Sequence, residues 1–184
     1  MPTILPLNGN IPSVPKSCFI ASTATIIGDV SLDEECSVWF NAVIRGDVNS
    51  IKIGKRVNIQ DNVVIHCTYM KFPTVIGNNV SIGHNAIVHG CTLHDNILIG
   101  MGSILMDGCV VESNSIIAAG AVVTAGTHVQ SGYVYGGIPA KKIKKTSLDL
   151  SKNEIERIAN NYLLYSSWYE ESSHDKNKKS KDSK

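Results

Sequence analysis

The chain contains no run of about 18 apolar residues, the length a helix needs to cross a bilayer, so no membrane span is expected. It also lacks an excess of either charge. Seventeen basic residues stand against 16 acidic ones, a net +1, which calls for neither a nucleic acid nor an anionic membrane as partner. There is no CxxC pair, and the five cysteines, Cys18, Cys36, Cys67, Cys91 and Cys109, are odd in number. They read as reduced thiols of a cytoplasmic protein. Residues 1–10 lack the basic start and apolar stretch of a signal peptide. The 184 residues suit one domain with a sizeable core.

What the chain does have is a ruler of six. Bulky aliphatic residues stand at Leu32, Val38 and Ile44, then at Ile53, Ile59 and Ile65, then at Ile76, Ile82 and Val88. From Leu93 the spacing holds through Ile99, Leu105, Val111, Ile117, Val123 and Val129. A second row of mostly small residues runs two positions earlier, including Cys36, Ala42, Val57, Val63, Ala86, Ser103, Cys109 and Ala121. Glycine, Asn or Asp commonly follows the aliphatic position, as at Gly54, Gly77, Gly83 and Gly100, and suggests tight turns there.

A period of six fits no 3.6-residue helix. It fits a short strand plus a turn, and its even spacing keeps the marked side chains on one strand face. Three units make a triangular coil, and stacked coils bury the aliphatic rows as interior ladders. The ruler is interrupted at 45–50 and at 67–74, where inserted residues should leave as surface loops. The expected organisation is a β-solenoid domain with its lead-in over 1–140, an exit segment and helix over 141–171, and a disordered Lys-rich tail over 172–184. Ser151 and Glu154 have the spacing of a capping box. Ile155, Ile158, Tyr162, Tyr165 and Tyr169 form a stripe that should pack on the solenoid wall.

Three of the six histidines fall in phase with the ruler. His66 follows Ile65 and His89 follows Val88, so the two should stack on one face, roughly 4.8 Å apart in backbone spacing. His84 comes two residues after Ile82, at a different corner, out of easy reach of the other two. A three-fold assembly brings a neighbour's corner to that face. The register therefore predicts a shared site of His66 and His89 from one chain and His84 from the next. Three imidazoles and a water match a catalytic zinc site with an open position.

The segments Val43-Ile44-Arg45-Gly46-Asp47, Asn58-Ile59-Gln60-Asp61 with His66, and Gly83-His84-Asn85-Ala86-Ile87-Val88-His89-Gly90 resemble the gamma-class carbonic anhydrases, over about 11–169. The resemblance implies an all-β, left-handed parallel β-helix with a C-terminal helix alongside, and a homotrimer. It implies reversible hydration of carbon dioxide to bicarbonate at a zinc ion (or iron or cobalt) held by His66, His84 and His89. It assigns Gln60 and Asn58 to positions near the metal, and Tyr162 to that of a family active-site tyrosine. Arg45, Asp47 and Asp61 become interface ion pairs, a role suited to the fork geometry of arginine. The sequence departs from the pattern in one respect. The best-known active members carry glutamates in an extended acidic loop that moves the proton, whereas Val48-Asn49-Ser50 and Cys67 to Pro73 contain no acid.

Hexads are shared with acyltransferases. The alternatives are an acyl-CoA transferase or thioesterase using the same cleft, or a metal-stabilised trimer without turnover. A transferase typically needs one histidine as base, so three in phase favour a metal site.

Overall fold

In the computed structural model the backbone is described for residues 1–146 and 148–179, and side chains for 1–146 and 153–169. The chain winds into a parallel β-helix of three faces. One face carries Phe19–Ile20, Ser37–Val38, Asn58–Ile59, Val80–Ile82, Ile97–Ile99, Ile116–Ile117 and Tyr133–Gly136, seven rungs in all. Another stacks Val64–His66, Ile87–His89, Ile104–Leu105 and Val122–Val123. A third stacks Thr74–Ile76, Thr92–Leu93, Val110–Val111 and His128–Val129. The long strands Thr25–Leu32 and Val43–Ile53 run around the corner between the last two, joining them into one sheet.

The hexad ruler is the interior. Val38, Ile44, Ile59, Ile65, Ile82, Val88, Ile99, Leu105, Val111, Ile117, Val123 and Val129 are all fully buried, as are the small residues two positions earlier at Ala42, Ala86, Ser103 and Ala121. The corners obey the same count. Three residues after most aliphatic positions, though not after Ile44, Ile65 or Val88, the backbone turns left-handed, chiefly at Asn41, Asn62, Asn79, Asn85, Asn96 and Asn114 and later at Gly102, Gly108, Gly120 and Gly126. Asn and Gly are the residues that enter this region at low cost.

The glycine directly after the aliphatic residue has a different duty from the expected one. Gly54 and Gly83 do not have positive φ. A Cβ on Gly54 would stand 2.9 Å from the backbone of Gly77 in the next coil, and one on Gly83 would stand 2.7 Å from the amide of Met101. These glycines let successive coils approach; the turn is made two residues later.

The exit helix, Leu148–Lys179, is longer than expected at both ends. It begins ahead of Ser151, at Leu148. Glu154 pairs with Arg157 at 2.6 Å; the side chain of Ser151, its partner in the expected capping box, lies outside the described residues. The helix also continues past 172, so the boundary expected for the tail falls inside it. The face it buries is Ile155, Ala159 and Ser166, with Tyr162 half-buried. It lies against the face of Ser37–Val38 and Val80–Ile82. Tyr162 stands edge-on to Trp39 at 5.2 Å, and Tyr169 sits 5.6 Å from each of Phe19, Trp39 and Phe40. Tyr165 packs on Tyr162 and Trp168.

Candidate metal centre

The parallel register pairs His66 with His89 directly, Ile65 with Val88 and Val64 with Ile87. Because Ile65 and Val88 point inward, both imidazoles point outward at the same end of adjacent rungs. Nδ1 of His66 lies 3.1 Å from Nε2 of His89. The other nitrogen of each ring is tied to a carboxylate. His66 Nε2 is 2.9 Å from Asp47 Oδ1, and His89 Nδ1 is 2.6 Å from Asp107 Oδ1.

A carboxylate only accepts, so each of these bonds places the ring proton on the carboxylate side. With both rings neutral, the two nitrogens that face each other each present a lone pair, and at 3.1 Å the pair is held either by a cation set against both or by a proton shared between them. Two nitrogens bound at about 2.0–2.1 Å to one tetrahedral zinc lie roughly 3.3 Å apart, so the separation fits a metal edge.

His84 follows the same rule: its Nδ1 is 2.8 Å from Asp61 Oδ2. It sits at the corner that opens the rung which His89 closes. Five residues, including the left-handed turn at Asn85, carry the chain from one to the other. Among the described residues no three histidine, cysteine or acidic side chains converge as a metal cage within the chain.

Gln60 and Asn58 are buried beneath the exit helix, at 6% and 2% exposure. Asn58 donates to Ser81 Oγ at 2.7 Å, Gln60 Nε2 donates to Asn58 Oδ1 at 3.0 Å, and Gln60 Oε1 accepts the His84 backbone N–H at 3.2 Å. The pair thus braces the His84 corner. Tyr162 is close enough for the Asp61 charge to act on its hydroxyl. Burial first, and then that charge, push its pKa up to about 12.

Arg45 forms an ion pair with Asp47 in its own chain. Burial pushes the Asp47 carboxyl upward, but hydrogen bonds from His66 and Arg45 outweigh it and hold the group below the usual carboxylate range. Asp61 pairs with His84, so both acids expected as ion-pair partners also orient histidines.

Three residues of this region escaped the motif reading. Asp107 binds His89 and accepts from Thr68 Oγ1 at 2.7 Å. Thr74, fully buried, donates to the His66 carbonyl at 2.6 Å and accepts the Gly90 N–H at 3.0 Å, fastening the ends of the two histidine rungs together. Coil arithmetic would have found Asp107: Leu105 pairs with Val88, which sets Met106 above His89 and Asp107 beside it.

The family model for bacterial transferase hexapeptide (six repeats) matches residues 90–125. A gamma carbonic anhydrase 2 of Arabidopsis thaliana mitochondria is 42% identical over 88% of the chain; the chain spans only 59% of that relative's length. A carbonic anhydrase of Geobacillus kaustophilus is 46% identical over 90% of each chain. The crystal structure of a hexapeptide transferase family protein from Anaplasma phagocytophilum superposes with a TM-score of 0.86 at 42% identity, covering 91% of this chain and 98% of that one. With its hexads wound as a left-handed β-helix, the chain belongs to the gamma-class carbonic anhydrase family.

Proposed function

We propose that the protein hydrates carbon dioxide reversibly to bicarbonate at a zinc ion shared between two copies of the chain in a homotrimer. His66 Nδ1 and His89 Nε2 of one copy and His84 Nε2 of the next would hold the ion. The observation that carries the reading is the 3.1 Å approach of His66 Nδ1 to His89 Nε2, with each ring held from behind by a carboxylate. Iron or cobalt would suit the same imidazoles. Bound there, the metal supplies the Lewis acidity that makes water a nucleophile near neutral pH.

The trimer is supported by the face between the two half-sites. Val43, Val64, Ile87, Ile104 and Val122 form an outward aliphatic ladder across five stacked rungs, and Val64 and Ile87 are exposed in the single chain. A neighbour covering this ladder brings its own His84 corner toward His66 and His89.

The chain's residues set the half-sites and leave the proton without an acidic carrier in the loops. Asp47, Asp61 and Asp107 each tie one ring nitrogen, and Gln60 pins the His84 backbone. Residues 48–50 and 67–73 contain no carboxylate, so soluble buffer takes the proton and turnover rises with buffer concentration. Cytoplasmic residence accords with five free thiols and with the absence, among the described residues, of a helix able to cross a membrane.

Complementation tests the shared site. His66→Ala and His84→Ala chains made separately should each lose zinc and carbon dioxide hydration. Coexpressed, they should regain about a quarter of the sites, because random assembly in a closed ring gives one intact pairing in four. No recovery in mixed trimers would refute sharing. Full zinc with no hydration, together with acyl-CoA hydrolysis by the same preparation, would favour the acyl-CoA reading.

A further inference from the structure

Resting on the metal centre proposed above, we infer that Asp107 and Thr68 form a positioning arm that orients His89, so that the loop after His66 governs how tightly the centre keeps its metal. The loop at 67–73 is an insertion in the hexad ruler, and its outward residues Tyr69 and Met70 are free of the core. Its inner residues are not. Thr68 Oγ1 donates to Asp107 Oδ2 at 2.7 Å, while Asp107 Oδ1 receives the His89 Nδ1 proton at 2.6 Å. The two carboxylate oxygens are thereby used by different partners, and the plane of the carboxylate is fixed from both sides.

The loop itself is held. Asn49 Nδ2 donates to the Thr68 carbonyl at 3.2 Å, and the Met70 N–H reaches the Val48 carbonyl. Phe72 lies against the two glycines that flank the arm. A Cβ at Gly90 would meet the Asp107 carboxylate and stand 2.9 Å from Phe72, and one at Gly108 would stand 3.0 Å from the Phe72 ring. Any other residue at Gly90 would displace the carboxylate from His89. The inserted residues 48–50, within the strand Val43–Ile53, and the loop at 67–73 therefore act as one clamp on a single ligand.

The consequence is chemical. A carboxylate on Nδ1 selects the ring form whose Nε2 carries the free lone pair, and it makes that nitrogen a stronger donor. Without Asp107 the ring would be free to turn and to take the other tautomer, which points a proton at the metal position.

The test is zinc affinity of the full-length protein by competition with a chromophoric chelator, together with the visible spectrum of the cobalt-loaded protein. Asp107→Ala should weaken zinc binding about 10–100-fold and alter the cobalt bands, with subunit mass and melting midpoint close to wild type. Asp107→Asn keeps an oxygen that accepts from Nδ1–H, and should recover part of the loss. Thr68→Val leaves the carboxylate in place and should weaken binding several-fold, with no further loss in the Asp107→Ala background. His89→Ala serves as the reference. If it loses zinc while Asp107→Ala and Thr68→Val bind as wild type, the arm is refuted and the metal centre stands. If His89→Ala itself retains wild-type affinity, the metal centre falls, and the arm with it. Should Asp107→Ala fail to fold, the Thr68→Val affinity and cobalt spectrum decide alone.

Discussion

At the scale of single residues, the candidate site is a set of three histidines, each assigned one carboxylate: Asp47 for His66, Asp61 for His84 and Asp107 for His89. Tyr162 stands beside this set. Its hydroxyl is raised to about 12 by burial and by the Asp61 charge, above the roughly 10 of an unfolded tyrosine. The folded state therefore prefers the neutral phenol. That contribution is complete below pH about 10 and is lost as pH rises toward 12. Thermal midpoints measured across this range should fall for the wild type, and Tyr162→Phe should flatten the fall. An unchanged slope in the variant would show that Tyr162 does not carry it. The histidines were legible because they share the hexad register; Asp47 and Asp61 were named from the same short motifs, but as ion-pair partners and not as partners of histidines. Asp107 and Thr74 were not, since neither sits in a motif. They reach the histidines only through the stacking of coils and the course of an insertion.

At the scale of elements, the rung is the unit of the fold. Each contributes one large aliphatic side chain to an interior already filled by the rungs above and below, so a truncation leaves a cavity with little means of collapse. Ile82→Ala should cost about 2–5 kcal/mol by urea denaturation. It lies under the His84 corner, and a loss well below that range would mean that the coil relaxes around it. The corners show where local reading succeeds and where it misleads. Asn and Gly were correctly associated with turns, but the turn residue is the third after the aliphatic position, as at Asn62 and Asn85. The glycine directly after it answers to the neighbouring coil, a contact that is visible only once coils are stacked. The exit helix was expected from its apolar period, yet its buried face turned out to include Ala159 and Ser166. Small residues suit the close approach of the helix to Ser37–Val38 and Val80–Ile82, and a search for bulky stripes passes over them.

At the scale of the whole molecule, a parallel solenoid has two ends, and each end exposes backbone groups ready to pair with another coil. One face of the final coil is closed in an unusual way. The strand Lys141–Lys145 folds back antiparallel on Tyr133–Gly136, and four of its five residues are lysines, all exposed. Lys142 and Lys145 lie over the ring of Tyr133, with Lys142 at 4.5 Å. A second molecule stacking its first rung here would meet a strand of the wrong direction and a row of like charges. Replacing Lys142, Lys144 and Lys145 with threonine should leave the fold intact, since none of these side chains is buried. It should also permit slow, concentration-dependent elongation, seen as growing particle length in light scattering and electron microscopy. If the variant stays at its original size over days at high concentration, the lysines are not the barrier. The antiparallel strand is in this sense a terminator: it tells a repeat that has no intrinsic end where to stop, and keeps an indefinitely extendable coil from becoming a fibre.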